Sequence, residues 1–488
     1  MNRRAFVTLG LTSVASGAGA STPGFDAPPE PGPQRAVQLP LIHEFRLPSG
    51  MQLLVVPLSS APLVTAAVYV RAGREADPNL RAGLAALTAS LLGKGAVRGG
   101  KPISASVLAR QAEALGSTLD GSTGWRSAGL QMTVTPPKLD AALALMSDVL
   151  RRPLLAADEL ERARVQAVDG LKVTMASPAD VAALAARRVF WGDSVYGAAP
   201  TPASLRRITR SEVQRFHAQG YQPDQALLVL AGDVTSAQAR ALAEQHFGGW
   251  KRSGLGLAQP QLRAVPALAL GSQTVIIDMP GSGQSGVVVA APYVHLGSPE
   301  RRIAEVANAL LGGGYSARLN QEVRIKRGLS YGASSGAESH AAGGLWTAQV
   351  QTAHNTAAQV VQLVAEELRR AAREPASAEE LNARKATLVG SFARQLETTA
   401  GLAGQVASQW LQGRPLAELS SYVEQVMAVT PEQVRDFAER TWTPQSLRTV
   451  VAGDLNTASA TLRDLDPQAR IIAVDKLDLE RSGLRAEP

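Results

Sequence analysis

The chain has 488 residues, 45 % of them hydrophobic and 19 % charged, so it is long enough for two or three globular domains with a sizeable core. It contains no cysteine, which excludes disulfide bonds, thiolate catalysis, cysteine-bound zinc and a lipid-anchored cysteine. The formal net charge of +7 is dispersed rather than collected in a basic block, so charge does not indicate a nucleic-acid partner.

The first 20 residues, MNRRAFVTLGLTSVASGAGA, combine a basic start, a short apolar run and a small-residue end. This pattern predicts an export signal peptide at 1–20 that is too short for a membrane span. Its two arginines also resemble a twin-arginine signal, and an ordinary export signal is the alternative. Residues 21–44 follow as a Pro-rich tether. We therefore expect a periplasmic protein without membrane insertion.

The remainder of the chain contains an internal repeat. Residues 209–235 align with residues 430–456 at a constant offset of 221. Both segments predict a capped amphipathic helix, a turn with proline, a short strand and a Gly-Asp turn. The identical residues are Thr209, Val213, Phe216, Pro223, Val229, Ala231, Gly232 and Asp233, which recur as Thr430, Val434, Phe437, Pro444, Val450, Ala452, Gly453 and Asp454.

Upstream segments repeat more loosely. Residues 51–70 and 272–294 each predict a strand, a turn and a second strand. Each pair is followed by a helix that ends in glycines, GLAALTASLLGKG in the first copy and RRIAEVANALLGGG in the second. The offset between these segments is close to that of the downstream repeat, so the two copies differ by small insertions.

We therefore predict two homologous domains, at 45–250 and 267–488, joined by a linker at 251–266 that is rich in Gly, Pro and small residues. Strand patterns alternate with long helical patterns in both. The predicted fold class is α+β, with each domain a mainly antiparallel sheet packed with helices. Predicted helices of the first domain are 103–116, 138–151, 156–175, 179–190, 209–219 and 236–247.

The helix predicted at 83–95 has one apolar stripe for packing, formed by Leu84, Leu87, Leu91 and Leu92. Another face carries only small residues. These are Ala86, Ala89 and Ser90. They offer nothing that titrates, and no side chain suited to metal binding.

The whole pattern resembles the pitrilysin/insulinase family of zinc metallopeptidases, in the two-domain subunit form related to mitochondrial processing peptidase. The resemblance covers about residues 45–470. It rests on LPSGMQLLVVP followed by VRAG, on GLAALTASLLGKG, on LRRPLLAADELERAR, on the AGD turn and on RLNQEVRIKRGLSYGASS. The resemblance implies a tandem pair of metallopeptidase-like domains.

In active members of that family the helix after VRAG carries His-x-x-Glu-His, whose histidines bind zinc and whose Glu polarises the attacking water. The resemblance places this motif on Ala86, Ala89 and Ser90, which cannot replace it. The third ligand, a Glu, falls near 166–170, where the nearest acid is Asp169. The six histidines are not paired at helical spacing. We expect no zinc on this chain.

The second copy keeps a different feature of the family. Arg324 and Tyr331 are seven residues apart, a spacing at which the family places an Arg and a Tyr that face the zinc, hold substrate and stabilise the oxyanion. We predict Arg324 at a helix end, a turn at Gly328 and Tyr331 on a strand. A surface Arg and a half-buried strand Tyr are the alternative interpretation.

The resemblance implies a division of labour, because some members split the two half-sites between homologous subunits. This chain looks like the zinc-less, substrate-binding subunit, which would supply Arg324 and Tyr331 to zinc on a homologous partner. Extended peptides would add to a sheet edge inside the joint chamber. The glycine-rich stretch at 310–319 is either a flexible turn beside that chamber or a helix C-cap.

Two rival functions remain. GASSG at 332–336 matches a serine-hydrolase motif with Ser334 as nucleophile, but the following residues do not predict the helix that the motif needs. A catalytically inactive, stand-alone peptide-binding or structural periplasmic protein of the same fold is the second rival. Retention of Arg324 and Tyr331 favours the subunit of a split peptidase.

Overall fold

The computed structural model of the protein describes residues 39–119, 121–257, 273–457, 462 and 466–485. The predicted export signal, most of the tether and much of the predicted linker lie outside these residues. We call the described residues up to 257 the first half and those from 273 the second half. Within the described residues, no helix is both long and apolar enough to cross a membrane.

The first half contains a six-stranded sheet with the strand order β1-β2-β8-β3-β7-β6. Only β2 and β8 are parallel neighbours, and the other neighbours are antiparallel. A two-stranded ribbon, β4-β5, lies apart from it. The strands are β1 (His43–Arg46), β2 (Gln52–Pro57), β3 (Val64–Val70), β4 (Gly95–Arg98), β5 (Lys101–Ser104), β6 (Gly121–Thr123), β7 (Ala128–Val134) and β8 (Ala226–Gly232).

Six helices of the first half lie within two residues of their predicted positions, α1 lies inside the helix predicted at 83–95, and the short α6 was not predicted. They are α1 (Leu84–Ser90), α2 (Ala105–Ala114), α3 (Leu139–Arg151), α4 (Ala157–Ala176), α5 (Pro178–Trp191), α6 (Pro202–Arg207), α7 (Arg210–Gly220) and α8 (Ser236–Phe247).

The second half repeats this architecture. Its sheet has the order β14-β9-β13-β10-β12-β11, in which β9 is parallel to both β13 and β14. The strands are β9 (Thr274–Asp278), β10 (Ser285–Tyr293), β11 (Ala333–His340), β12 (Gly343–Thr352), β13 (Arg448–Gly453) and β14 (Arg470–Ala473). The helices are α9 (Arg301–Gly312), α10 (Arg318–Asn320), α11 (Ala357–Arg373), α12 (Ala378–Leu396), α13 (Thr399–Gln412), α14 (Tyr422–Met427) and α15 (Pro431–Thr441).

The repeat seen in the sequence is a repeat of structure. Thr209 and Thr430 begin α7 and α15 with the same capping box, in which the hydroxyl accepts the N–H three residues on. The strands β8 and β13 follow at equivalent central places in the two sheets. Two mainly antiparallel sheets covered by helices confirm the predicted α+β fold with two homologous domains.

The two halves exchange one helix each, which sequence did not predict. Helix α5 of the first half packs on β10 and β13 of the second sheet, and α13 of the second half packs on β3 and β8 of the first sheet. At the start of α13, the hydroxyls of Thr399 and Thr65 are 2.8 Å apart. At the start of α5, the backbone of Ala179 lies directly against Gly286. Each sheet is therefore completed by the other half.

The helix predicted at 83–95 is shorter than expected. Helix α1 ends at Ser90, and β4 begins at Gly95 with a φ of +133°. A side chain at Gly93 would meet the carbonyl oxygen of Leu119 at 2.4 Å. Both glycines prevent the helix from continuing. Gly95 adopts a conformation that L-residues avoid, and Gly93 allows a close approach of the backbone at Leu119.

A buried aromatic and charged cluster joins the two halves. The ring of His340, on β11, stacks on Tyr196 of the first half at 4.1 Å between centroids. Beside it, Glu338 lies 2.5 Å from Arg187 on the exchanged helix α5 and 3.5 Å from His340. Burial raises the pKa of Glu338, but hydrogen bonds and charges from His340 and Arg187 outweigh it and lower the pKa to about 2.

Glu338→Gln is expected to lower the free energy of unfolding at pH 7 by roughly 2–3 kcal/mol. The pKa of Glu338 falls from 4.5 to about 2 on folding, so its stabilisation is complete above pH 4.5 and is lost as the pH falls toward 2. Urea unfolding at pH 7 and pH 3 measures the difference, which should shrink at the lower pH. Glu374→Gln, at a side chain that is 69 % exposed, is the control. Equal effects of both variants at pH 7 would contradict the prediction.

Candidate functional site

The face of α1 that the family uses for zinc carries no metal-binding side chain here. Ala89 is buried, and the Ser90 hydroxyl donates a hydrogen bond to the carbonyl oxygen of Leu87 at 2.8 Å. Ala86 has no donor atom at all. Two methyl groups and one hydroxyl already engaged within the helix do not fit a zinc ion, which requires imidazole, thiolate or carboxylate ligands.

The place of the third zinc ligand is equally bare. Of residues 166–170 on α4, Ala167 and Val168 pack against the core of the first half. Asp169 instead forms an exposed ion pair with Lys172 at 2.8 Å. Across the described part of the chain, no group of three or more His, Asp or Glu side chains is arranged to hold a metal ion.

The start of α1 is held by a residue that sequence reasoning missed. The Asp77 carboxylate accepts the N–H of Ala85 at 2.7 Å and that of Gly83 at 2.9 Å, so it caps the helix from six and eight residues away along the chain. Burial raises its pKa to about 7, against the lowering effect of these two hydrogen bonds. An ordinary cap pattern looks only at the residue next to the helix, so it gives no signal for Asp77.

The edge strand β6 packs directly on α1. A Cβ atom at Gly121 would lie 2.0 Å from the carbonyl oxygen of Ala89, so only glycine permits this contact. β6 is the last strand in the order of the first sheet. An edge strand presents backbone N–H and C=O groups that can pair with an added extended chain. The bare α1 face therefore lies beside a strand suited to peptide pairing.

Arg324 lies in a π-helical turn, Gln321–Ile325, that follows α10. The segment ends at Gly328, whose φ of +63° reverses the chain as predicted. Tyr331 was predicted on a strand, which is wrong, because β11 begins only at Ala333. The Ser330 hydroxyl donates to the carbonyl oxygen of Gln351 at 2.6 Å, and this contact holds the chain in a bend before the strand.

Arg324 is the one cation of its turn that is left without an anionic partner among the described residues. Its neighbours Lys326 and Arg327 both bind Glu322, each at 2.5 Å. The Arg324 guanidinium makes no hydrogen bond or ion pair with any described residue, and it lies over the ring of Tyr315 at 5.0 Å. A free guanidinium on an ordered turn is available for a ligand.

Tyr331 is also available for a ligand. Its side chain is 89 % exposed, and its hydroxyl has no hydrogen-bond partner within the described ranges. The loop itself is anchored, because the Leu329 carbonyl oxygen accepts a hydrogen bond from the Thr352 hydroxyl at 2.6 Å. An exposed phenol on an anchored loop differs from the half-buried strand Tyr of the alternative interpretation.

The glycine-rich stretch connects α9 to the Arg324 turn. Helix α9 ends at Gly312 with Gly313 as its C-cap, so the stretch does act as a helix end. The side-chain amide of Asn320 donates to the carbonyl oxygen of Tyr315 at 2.5 Å, and its oxygen accepts the N–H of Ala333 at 3.2 Å. One buried amide thus ties the turn that carries Tyr315 to the start of β11.

The remaining candidate residues take structural roles. Two histidines are hydrogen-bonded within the fold: the Nε2 atom of His217 pairs with the carbonyl oxygen of Leu150 at 2.8 Å, and that of His246 pairs with Asp140 at 2.7 Å. Ser334 lies inside strand β11 rather than on a turn between a strand and a helix. The serine-hydrolase geometry is therefore absent at Ser334.

The two predicted half-sites lie on different halves of the chain. The α1 face belongs to the first half, whereas Arg324 and Tyr331 belong to the second. No hydrogen bond or ion pair between described residues joins the two groups. The second half thus has a half-buried Arg324 guanidinium and an exposed Tyr331 phenol, and the described residues contain no metal-binding cluster.

Comparisons with known proteins identify the family. Residues 54–189 match the family described as Insulinase (Peptidase family M16), and residues 207–388 match Peptidase M16 inactive domain. An uncharacterized zinc protease of Mycobacterium leprae is 25 % identical over 81 % of this chain and 88 % of its own length. A Helicobacter pylori protein named as a non-peptidase homolog is 22 % identical over 75 % of this chain and 83 % of its own.

A solved structure shows the same fold. The crystal structure of a peptidase M16 inactive domain from Pseudomonas fluorescens superposes with a TM-score of 0.77, at 25 % identity. The match covers 85 % of this chain and 98 % of that one. The similarity therefore spans both halves and not one isolated motif.

Proposed function

Because the chain belongs to the M16 peptidase family of insulinase-like proteins, with a second half of the inactive-domain type, we propose that it is the non-catalytic, substrate-binding subunit of a heterodimeric zinc metallopeptidase. In this proposal zinc is held by a homologous partner with an intact His-x-x-Glu-His motif. This chain supplies Arg324 and Tyr331 to the partner's zinc site.

The observation that carries the proposal is the contrast between the two half-sites. The α1 face has lost every metal-binding side chain, whereas Arg324 is unpaired next to two cations that Glu322 neutralises. An unpaired guanidinium beside a carboxylate that is already bound by two other cations gains nothing for folding. A guanidinium and a phenol donate hydrogen bonds to a carbonyl oxygen as negative charge develops on it, which is the chemistry that peptide cleavage requires.

Tyr315 supports the same role as a positioning residue. Its ring lies under the Arg324 guanidinium at 5.0 Å, and its backbone is tied to β11 through Asn320. A cation over an aromatic face is attracted by the ring quadrupole, which limits the orientations of the guanidinium. The ring therefore presents Arg324 to a ligand without neutralising its charge.

The peptide is proposed to bind as an extended strand along β6. That strand closes one edge of the first sheet and lies on the bare α1 face. Strand addition uses backbone hydrogen bonds, so it accepts many sequences. We place the complex in the periplasm, on the export signal at residues 1–20.

A second candidate is a catalytically inactive, stand-alone peptide-binding or structural protein of the same fold. The Helicobacter pylori relative is named as a non-peptidase homolog, and a helix without zinc ligands suits this role equally. The two candidates differ in one respect, which is whether a zinc-bearing homologue needs this chain for activity.

The test is peptide cleavage by this protein alone, by the zinc-bearing homologue alone and by their mixture, with bound zinc counted in each sample. The proposal expects full activity only in the mixture and no zinc on this chain. If this chain neither binds the homologue nor changes its activity, the split peptidase is excluded and the stand-alone candidate is the better account.

A further inference from the structure

A polar cleft lies in the second half, away from the Arg324 turn. It consists of two adjoining hollows of about 250 and 340 Å³ between α9, α12 and α13. Both hollows are lined by Arg302, Glu305, Gln412 and Arg414. The larger hollow lies at the lower end of the size range of small-molecule sites, and the smaller one extends it.

The internal repeat relates this cleft to the zinc-site positions of the first half. Glu305 on α9 is the counterpart of Ala86 on α1, when the two helices are aligned on their LLG sequences. Leu388 and Ser391, on α12, also line the cleft. In the repeat they correspond to residues 167 and 170 on α4, the region where the family's third zinc ligand is expected. The cleft therefore occupies, in the second half, the position that corresponds to the family's zinc site in the first half. Unlike the α1 face, it is lined by polar side chains.

Positive charge exceeds negative charge in this cleft. A single Glu418 oxygen accepts hydrogen bonds from Arg301 at 2.6 Å and from Arg414 Nε at 2.8 Å. Glu305 pairs with Arg302 at 2.8 Å and accepts the Tyr422 hydroxyl at 2.6 Å. Three guanidinium groups thus share two carboxylates.

These cations are largely withdrawn from water. The side chains of Arg414 and Arg302 are 12 % and 13 % exposed, and that of Arg301 is 22 % exposed. Burial, followed by repulsion from Arg414 and Arg302, lowers the pKa of Arg301. A third carboxylate that enters the cleft would relieve this repulsion, and its attraction to the guanidinium groups would be weakly screened by solvent.

The cleft also contains unsatisfied hydrogen-bonding groups. Gln409 is 6 % exposed and lines the larger hollow, and its Oε1 atom has no partner among the described residues. The Nε atom of Arg301 is buried and equally without a partner. Buried polar atoms are normally paired, so unpaired ones at an open cleft are available to a ligand.

We propose that this cleft binds the carboxylate of a small polar ligand, of which the C-terminal end of a short peptide is the best fit. The guanidinium groups of Arg302 and Arg301 receive the carboxylate, because planar forks match carboxylate oxygens in pairs. Gln409 accepts an N–H of the ligand, which a peptide has and a phosphate lacks. The glutamine and serine side chains along α12 and α13 complete the polar wall.

This site is independent of the proposed catalytic partnership, because neither Arg324 nor Tyr331 lines the cleft. Isothermal titration calorimetry on the full chain tests it with three probes: tri-alanine with a free C-terminal carboxylate, the same peptide as its C-terminal amide, and acetate. We expect the free acid to bind at least tenfold more tightly than the amide. Binding of acetate alone would identify a free organic acid as the source of the carboxylate.

Two variants locate the site. Arg302→Gln should weaken tri-alanine binding at least tenfold, whereas Arg435→Gln, at a surface arginine paired with Asp436, should leave it unchanged. Gln409→Glu places a carboxylate in the cleft by itself, so it should abolish binding while the thermal midpoint is kept. The proposal is overturned if none of the three probes binds, if the amide binds as tightly as the free acid, or if the folded Gln409→Glu protein still binds tri-alanine. If Arg302→Gln fails to fold, the Gln409→Glu result decides alone.

Discussion

Tyr331→Phe is expected to lower kcat of the reconstituted mixture by about 10²-fold, and Arg324→Gln by about 10²–10³-fold, with binding of the two subunits unchanged. Both substitutions remove a donor that acts as the carbonyl oxygen becomes negatively charged. The Tyr331 side chain is 89 % exposed and the Arg324 guanidinium has no anionic partner among the described residues, so neither change disturbs the fold of this chain. Steady-state kinetics of the mixture measure the effect.

The control lies three residues away. Arg327→Gln removes the same charge from the same turn, but Arg327 is bound to Glu322 at 2.5 Å and is not available to substrate. It should leave kcat close to that of the wild-type mixture. Loss of transition-state stabilisation lowers kcat and kcat/KM together, whereas a rise in KM alone would assign Arg324 to ground-state binding. Equal losses for Arg324→Gln and Arg327→Gln would show that only net charge matters and would remove Arg324 from the site.

Gly286→Ala is expected to lower the free energy of unfolding by about 1–3 kcal/mol, the usual effect of overpacking a filled interior. Gly286 lies on β10 at the start of the exchanged helix α5, and a Cβ atom there would lie 2.5 Å from the Cα of Ala179 and from the carbonyl oxygen of Pro178. Backbone atoms cannot rotate away as a flexible side chain can. The helix must therefore move off the sheet, and urea unfolding measures the loss.

Gly336→Ala is the matched control for this substitution. Gly336 is also a strand glycine of the second sheet, on β11, and a Cβ atom there would meet no heavy atom within 4 Å. Its stability should be unchanged or slightly raised, because alanine restricts the unfolded chain more than glycine. If both variants lose the same stability, the effect belongs to strand glycines in general and not to the docking of α5.

The helix exchange has a consequence for how the protein holds together. Helix α5 completes the second sheet, α13 completes the first, and Glu338 bonds to Arg187 across the same boundary. Separating the two halves would expose an apolar face on each sheet, so we infer that they unfold together. Their relative placement is what holds β6 of the first half and the Arg324 turn of the second half in one body.

Much of this protein was determined by its sequence alone. The duplication, the strand-turn-strand units and most helix positions follow from periodicity and capping residues, which are local and need no partner to be recognised. Residue type alone also shows that Ala86 and Ala89 offer no metal-binding atom, because no packing can make a methyl group a ligand. The spacing of Arg324 and Tyr331 is also visible in the sequence, but only the resemblance to the family gives it a functional meaning.

Only the tertiary structure decided which elements meet. Periodicity shows that α5 has an apolar face but not that this face lies on the other half's sheet. Asp77 caps α1 from outside the usual cap position. Arg324 is unpaired because the nearby carboxylate of Glu322 binds Lys326 and Arg327 instead. Charge pairing and helix docking depend on distances between residues far apart in the chain, and a linear pattern carries no such distance.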